Sequence, residues 1–320
     1  MAELNEQKRR KLDSSNGDSP RVLINNENLK DMDNDILFHF GLSTTGNDLP
    51  KMFGDVKFVC CGGSTHRMET FANYMLQELG MELPTGQSLS NICSTDRYVM
   101  YKVGPVLSIN HGIGMPSMSI MLHEIIKLMH YAGCTDVVFF RIGTSGGLGM
   151  KPGTVVISEE AVNYKFQPVF QLPILGEMKS WPTTLSKEVA EEVQSCCLPG
   201  DDFDAVIKKT LSTDDFYEGQ GRLDGAFCEF TVKDKMDYLQ SAHDNGVGNV
   251  EMESSCFAAM TNRANIKAGV VCVTLIDRLE GDQLSTPANV LHHWEERAQQ
   301  LVARYILKKL KQHQQQQQRK

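Results

Sequence analysis

Three segments of the chain set an arginine beside a tight turn. One is Cys61-Gly62-Gly63-Ser64, with Arg67 one helical turn further on. Another is Arg141-Ile142-Gly143-Thr144-Ser145-Gly146-Gly147. Glycine lets a backbone approach an anion closely, and a helix starting after such a turn offers free N–H groups. The segment Thr95-Asp96-Arg97-Tyr98 is the weakest case, because Asp96 can pair with Arg97 at the surface. Arg141 closes an apolar run and is expected at the end of a buried strand. There it needs a carboxylate or an anion to meet it, and the hydroxyl and glycines that follow favour phosphate. Taken singly, each turn reads as an ordinary strand-to-helix connection. Three guanidiniums brought together read as a clamp for inorganic phosphate or a phosphoester, because the Arg fork matches phosphate oxygens two at a time.

Other phosphate-binding patterns are excluded. No Gly-x-x-x-x-Gly-Lys-Ser/Thr loop occurs. The 143–147 cluster lacks Gly-x-Gly-x-x-Gly spacing, and Gly112-Ile113-Gly114 continues into Met115-Pro116-Ser117 instead of a third glycine. A nicotinamide-dependent dehydrogenase is therefore a poor reading. Two further segments carry chemistry. Asp214 to Gly225 places Phe216, Gln220 and Arg222 among glycines. Phe216 suits stacking on a flat ring, and Gln220 and Arg222 suit reading its hydrogen-bonding edge; the plainer alternative is a polar surface loop. In Val250-Glu251-Met252-Glu253-Ser254, the two carboxylates point the same way if extended. They suit a helix start, a metal or a sugar diol.

The elements that must position these residues alternate along the chain. Strands are expected at 56–61, 105–110, 136–142, 154–158, 249–252 and 266–276. Helices are expected after Gly63, at 117–131, near 254–262 and at 289–310. Strand–helix alternation with near-continuous apolar strands predicts an α/β fold with a mainly parallel sheet covered on both faces, and ligands beyond the carboxyl ends of its strands. Residues 31–310 form the expected single folded domain. Residues 1–30 and the Gln-rich residues 311–320 are expected to be disordered tails. Lys8 to Lys11 is read as part of a charged arm, with a nuclear-import patch as the sharper alternative.

Composition bounds the partners. The 320 residues carry 32 Lys and Arg against 40 Asp and Glu, a net charge of −8. That excludes a basic nucleic-acid binder. No apolar stretch is long enough to span a membrane, and the polar N-terminus is no secretory signal. Nine cysteines without Cys-x-x-Cys spacing suggest reduced thiols in a cytosolic protein.

Phe53 to Val59, Arg141 to Gly147, Phe216 to Gly225 and Glu251 to Ser254 together resemble the animal uridine phosphorylases of the nucleoside phosphorylase-I group, over about residues 32–310. The resemblance implies a three-layer α/β/α fold with a central mixed, barrel-like sheet. It implies reversible phosphorolysis of uridine, and of deoxyuridine, to uracil and (deoxy)ribose 1-phosphate. No cofactor and no metal are implied; phosphate is a co-substrate. Gly63, Arg67, Arg141 and Thr144 would hold phosphate, joined by Arg97 from the neighbouring subunit of a homodimer. Phe216, Gln220 and Arg222 would hold uracil, Met252 would pack under the ribose, and Glu253 would accept its hydroxyls. His39, also from the neighbour, would meet the 5′-hydroxyl. The catalytic roles fall on Arg141, Glu253, Gln220 and Arg222. Asp277 is taken with Arg278 as a pair on the pocket rim. A purine or thymidine-preferring phosphorylase and a non-catalytic nucleoside- or phosphate-binding protein are the alternatives.

Overall fold

The computed structural model describes residues 20–318. The strands alternate their side chains between two apolar layers, which is why neither face of the sheet is left open. In β3 (Phe58–Gly62), Phe58 and Cys60 enter one core while Val59 and Cys61 enter the other. In β6 (Val138–Gly147), Val138, Phe140 and Ile142 share the first core and Phe139 the second. Helices α2 (Thr65–Glu78), α4 (Lys187–Gln194) and α7 (Ala288–Gln318) cover one face. Helices α1 (Leu49–Phe53), α3 (Met115–Tyr131) and α6 (Ser254–Arg263) cover the other. The remaining helix, α5, spans Val232–Asp244 and packs beside the strand β11 (Val247–Glu251).

The sheet has eight strands in the order β11-β10-β7-β12-β6-β3-β5-β4. Here β4 is Met100–Val103, β5 Val106–Asn110, β7 Val155–Val162, β10 Ala205–Ser212 and β12 Lys267–Asp277. A further pairing of β11 with β6 closes five of them into a mixed barrel. Strand β6 therefore changes partner along its length. Its first half runs parallel to β3, as far as Cys61 opposite Arg141. Its last residues, Gly146 and Gly147, pair antiparallel with Val250 and Asn249 of β11. Between them the strand forks. Two hairpin-like additions lie outside this sheet: β1 (Ile36–Leu37) with β2 (Leu42–Ser43), and β8 (Val169–Ile174) with β9 (Glu177–Pro182).

Three expectations need correction. The 141–147 segment is not a turn after a strand but the second half of β6, paired throughout with β12. Its glycines are needed for clearance instead of for turning. A Cβ at Gly143 would lie 2.0 Å from Arg141 Nη1, and one at Gly146 would lie 2.7 Å from Arg278 Cγ. Arg141 consequently sits in mid-strand. The amino-terminal boundary at residue 30 is also too late: Val22 is buried, the Leu23 N–H donates to the Ala264 carbonyl, and Arg21 bridges Thr135. The apolar run Val22-Leu23-Ile24 gives this segment a reason to dock. Residues 1–19, with Lys8 to Lys11, lie outside the described residues. At the other end, α7 continues to Gln318 through the Gln-rich stretch. Glutamine is a good helix former, and extending an existing helix avoids the cost of nucleation.

Candidate active site

The fork in β6 opens into a cavity of about 510 Å³ between the Gly63 and Gly112 turns and the 216–224 loop. It is lined by Gly63, Arg67, Arg141, Thr144, Phe216, Gln220, Arg222, Met252 and Glu253. Residues scattered over nearly two hundred positions of sequence are thus brought to one place, each by an identifiable local device. Gly63 follows the last residue of β3, and Ser64 caps α2 by accepting the Arg67 N–H, which starts the helix on which Arg67 rides. Glu251 ends β11 and turns its carboxylate back to accept the N–H groups of Glu253 and Ser254 at 2.9 and 3.0 Å. It is the helix-start carboxylate of α6. Glu253 accepts the Gly114 N–H at 2.6 Å, and Gly114 holds φ +85°, a conformation that favours glycine.

Arg141 is 3 % exposed, and two carboxylates meet its charge. Nη2 lies 2.7 Å from Glu251 Oε2 and in closer contact with Glu253 Oε2. Nη1 approaches Cys272 Sγ at 3.6 Å, and Nε has no partner among the described residues. Burial opposes the Arg141 charge, but Glu251, the Cys272 sulfur and Glu253 outweigh it and raise its pKa. Burial raises the Glu251 carboxyl; Arg141 opposes this and the Glu253 charge adds to it. Both carboxylates thus accept from Arg141 and from backbone N–H groups. Arg67 has a lowered pKa, chiefly through burial, with Glu295 acting against it and Arg141 adding to it. Burial pushes the Cys61 and Cys272 thiols up to about 12, so neither supplies a thiolate nucleophile at neutral pH.

The 216–224 loop is braced from below. Arg278 is fully buried and donates to Gln220 Oε1 at 3.3 Å and to the Gln220 carbonyl at 2.9 Å. This orients the amide: Oε1 faces Arg278, so the –NH2 is the group left for the cavity. Arg222 lies 4.1 Å over the Phe216 ring and donates to the Asp282 carbonyl at 2.7 Å. Asp282 in turn meets Lys235 and Arg278 at 2.8 and 3.0 Å. The expected rim pair of Asp277 with Arg278 does not form. Asp277 accepts the N–H groups of Gly149 and Leu279, while Arg278 goes inward to Gln220 and Asp282. A guanidinium leaving an apolar strand was the available signal for that brace, since such a charge demands internal partners. The buried His111, which directly precedes the Gly112 turn, also lines the cavity.

His39 and Arg97 do not join the cavity of their own chain. They lie near each other at the surface. The Thr95 hydroxyl donates to the His39 carbonyl, and the His39 and Tyr98 rings are 6.2 Å apart. Glu124 anchors His39, with Nδ1 at 2.6 Å from Oε1. Arg97 is exposed, with Asp96 at 3.9 Å, and the neighbouring Ile36 and Phe38 are exposed apolar side chains.

The strand fork thus carries a buried arginine beside a glycine turn that opens a helix, in an α/β fold. The sequence profile of the phosphorylase superfamily matches residues 57–307. The chain is 51% identical over 290 residues to uridine phosphorylase 1 of Mus musculus, covering 90% of this chain and 93% of the relative. The crystal structure of uridine phosphorylase from Schistosoma mansoni in complex with thymidine superposes with a TM-score of 0.85 at 41% identity. That match covers 90% of this chain and 98% of the other. A second protein of that organism, named inactive uridine phosphorylase B, is 40% identical over 88% of this chain and 95% of its own length. The chain belongs to the uridine phosphorylase family of the phosphorylase superfamily.

Proposed function

We propose that the protein catalyses reversible phosphorolysis of uridine and deoxyuridine, giving uracil and ribose or deoxyribose 1-phosphate, within cytosolic pyrimidine nucleoside salvage and catabolism. The observation that carries this reading is the gathering in one cavity of Arg67 and Arg141, the carboxylate Glu253, and the Phe216, Gln220 and Arg222 loop. The thymidine complex of the Schistosoma mansoni relative supports a pyrimidine nucleoside as the ligand class.

In this reading phosphate is held by Gly63, Arg67, Arg141 and Thr144, and ribose packs on Met252 with its hydroxyls donating to Glu253. A phosphate oxygen attacks C1′ as the glycosidic C1′–N1 bond breaks. The bonding pair leaves on uracil, which takes a proton, and ribose 1-phosphate remains. Cleavage builds positive charge on the sugar and negative charge on the base. The held phosphate stabilises the first, and the donors of Gln220 and Arg222 stabilise the second. Preorganised groups aimed at developing charge, with two reactants held in line, supply most of such a rate enhancement. No cofactor takes part. Arg97 and His39 act from the neighbouring subunit of a homodimer. Their shared position, away from their own chain's cavity and beside exposed Ile36 and Phe38, supports that arrangement.

The test is to incubate the protein with uridine, with and without inorganic phosphate, and to follow loss of uridine absorbance. Phosphate-dependent loss is expected. Uridine that survives with phosphate present would place the protein with its inactive relative, and loss without phosphate would make it a hydrolase.

A further inference from the structure

His111 is a polar side chain of the cavity wall to which the mechanism above assigns nothing. It follows β5, and its backbone is pinned: its N–H donates to the Gly62 carbonyl at 2.8 Å, and its carbonyl accepts the Ser117 hydroxyl at 2.6 Å. The residue is 1 % exposed, and among the described residues neither Nδ1 nor Nε2 has a hydrogen-bond partner of good geometry. A buried donor left unmade costs free energy, and most such groups in proteins are satisfied. The ring faces the phosphate wall. A Cβ built on Gly63 would lie 3.5 Å from Arg67 Nη2 and 3.7 Å from His111 Cε1, so the imidazole and the guanidinium converge on one spot.

We infer that His111 is a further phosphate ligand, donating a ring N–H to a phosphate oxygen beside Arg67, an inference that rests on the phosphorolysis reading. The ring is suited to donate without adding charge. Burial holds its pKa well below the usual histidine range, and Arg141 and Arg67 lower it further, against the carbonyls of Gly112 and of His111 itself. It is therefore uncharged near neutral pH and carries one N–H. A neutral donor adds one hydrogen bond to an oxygen and no further cation, whose stronger grip on ground-state phosphate would come at the expense of turnover. Arg141 and Arg67, the charges that act on the ring, line the same cavity as His111.

The experiment uses the full chain with His111→Ala, His111→Phe and His111→Gln. Phosphorolysis is measured with phosphate and uridine varied separately, and thermal unfolding with and without inorganic phosphate. In the Ala and Phe variants the phosphate KM should rise by about tenfold or more, the loss of one hydrogen bond to a charged group. The uridine KM should change by less than about threefold. His111→Gln, which restores an amide donor, should recover most of the loss. The stabilisation that phosphate confers on the wild type should shrink in step and return with Gln. His111→Phe keeps the ring volume, so it decides the matter if His111→Ala fails to fold. Phosphate KM and phosphate stabilisation unchanged in a folded Ala or Phe variant would overturn the inference. Equal rises in both KM values, marking a packing role, would overturn it too. If the wild type consumes no uridine, the functional reading falls, while phosphate stabilisation and its loss in His111→Phe still decide the histidine's role.

Discussion

Replacing Arg141 tests both the fold and the chemistry, because the guanidinium serves two carboxylates as well as the cavity. In Arg141→Ala, Glu251 and Glu253 lose their shared cation while remaining buried. Breaking a buried ion pair by removing one partner costs about 3–5 kcal/mol. At about 2–4 °C per kcal/mol for a large domain, the melting temperature should fall by about 6–20 °C. The penalty should depend on pH with a definite sign. Glu251 already has a raised pKa in the folded protein, and Arg141 is the largest influence holding it down. Without Arg141 it rises further. A group whose folded pKa exceeds its unfolded value favours folding fully below the unfolded value and loses that contribution as pH rises through the folded one. The variant should therefore lie closest to wild type in melting temperature at about pH 5 and fall behind as pH rises toward 8. Adding Glu251→Gln should return part of the stability and none of the phosphorolysis. Loss of a charge-assisted contact worth about 2–5 kcal/mol predicts a fall in kcat/KM for phosphate of about 30- to 5,000-fold. Scanning calorimetry across pH and steady-state kinetics read these effects separately. A folded Arg141→Ala protein with kcat/KM within threefold of wild type would refute the assignment of Arg141 to phosphate. A melting temperature unchanged at pH 8 would refute the charge argument.

Other substitutions probe the remaining parts of the site. Gln220→Ala and Arg222→Ala should each lower uridine turnover by at least about tenfold without creating activity on inosine, because a base edge left unpaired is discriminated strongly; full uridine activity in either would return the loop to a surface turn. Gly143→Ala should displace the Arg141 side chain, since the added Cβ would lie 2.0 Å from Nη1; a raised phosphate KM is expected, and an unchanged one would show that the strand yields instead. Arg97→Ala and Glu253→Ala, each inactive alone, should recover about a quarter of wild-type activity when co-refolded, since half the dimers are mixed and each regains one site. Mixed dimers verified by mass but still inactive would place Arg97 in its own subunit's site.

How far the sequence disclosed this site depended on whether a residue's partners were near in sequence. Gly63 with Arg67, and Glu251 with the start of α6, are local arrangements, and composition plus spacing located both. The alternation of apolar strands and helices gave the layered α/β class for the same reason. Arg141 was legible as a buried charge needing a partner, but its partners, Glu251 at the end of β11 and Glu253 at the start of α6, reach it only once β11 meets β6 and the barrel closes. The 143–147 glycines looked like a turn because glycine signals turns locally; here they clear space for Arg141 and Arg278, a demand set by tertiary packing. Arg278 was paired with its sequence neighbour Asp277, yet Asp277 had backbone N–H groups to accept and Arg278 had Gln220 and Asp282. The barrel closure itself came from family resemblance, because nothing in one strand's pattern records which strand will pair with its far end.

The fork in β6 has a consequence for how this protein tolerates change. On the edge that faces β3 and then β11, residues 142–145 have no strand partner among the described residues, while β12 pairs their other edge. Whatever main-chain groups that gap presents are a property of strand order, and no single side-chain replacement deletes them. Scanning mutagenesis of the cavity will therefore sample only its removable half. The residual affinity left after each substitution is a measure of the half written in the chain's path, which an insertion that shifts the β6 register would erase at once.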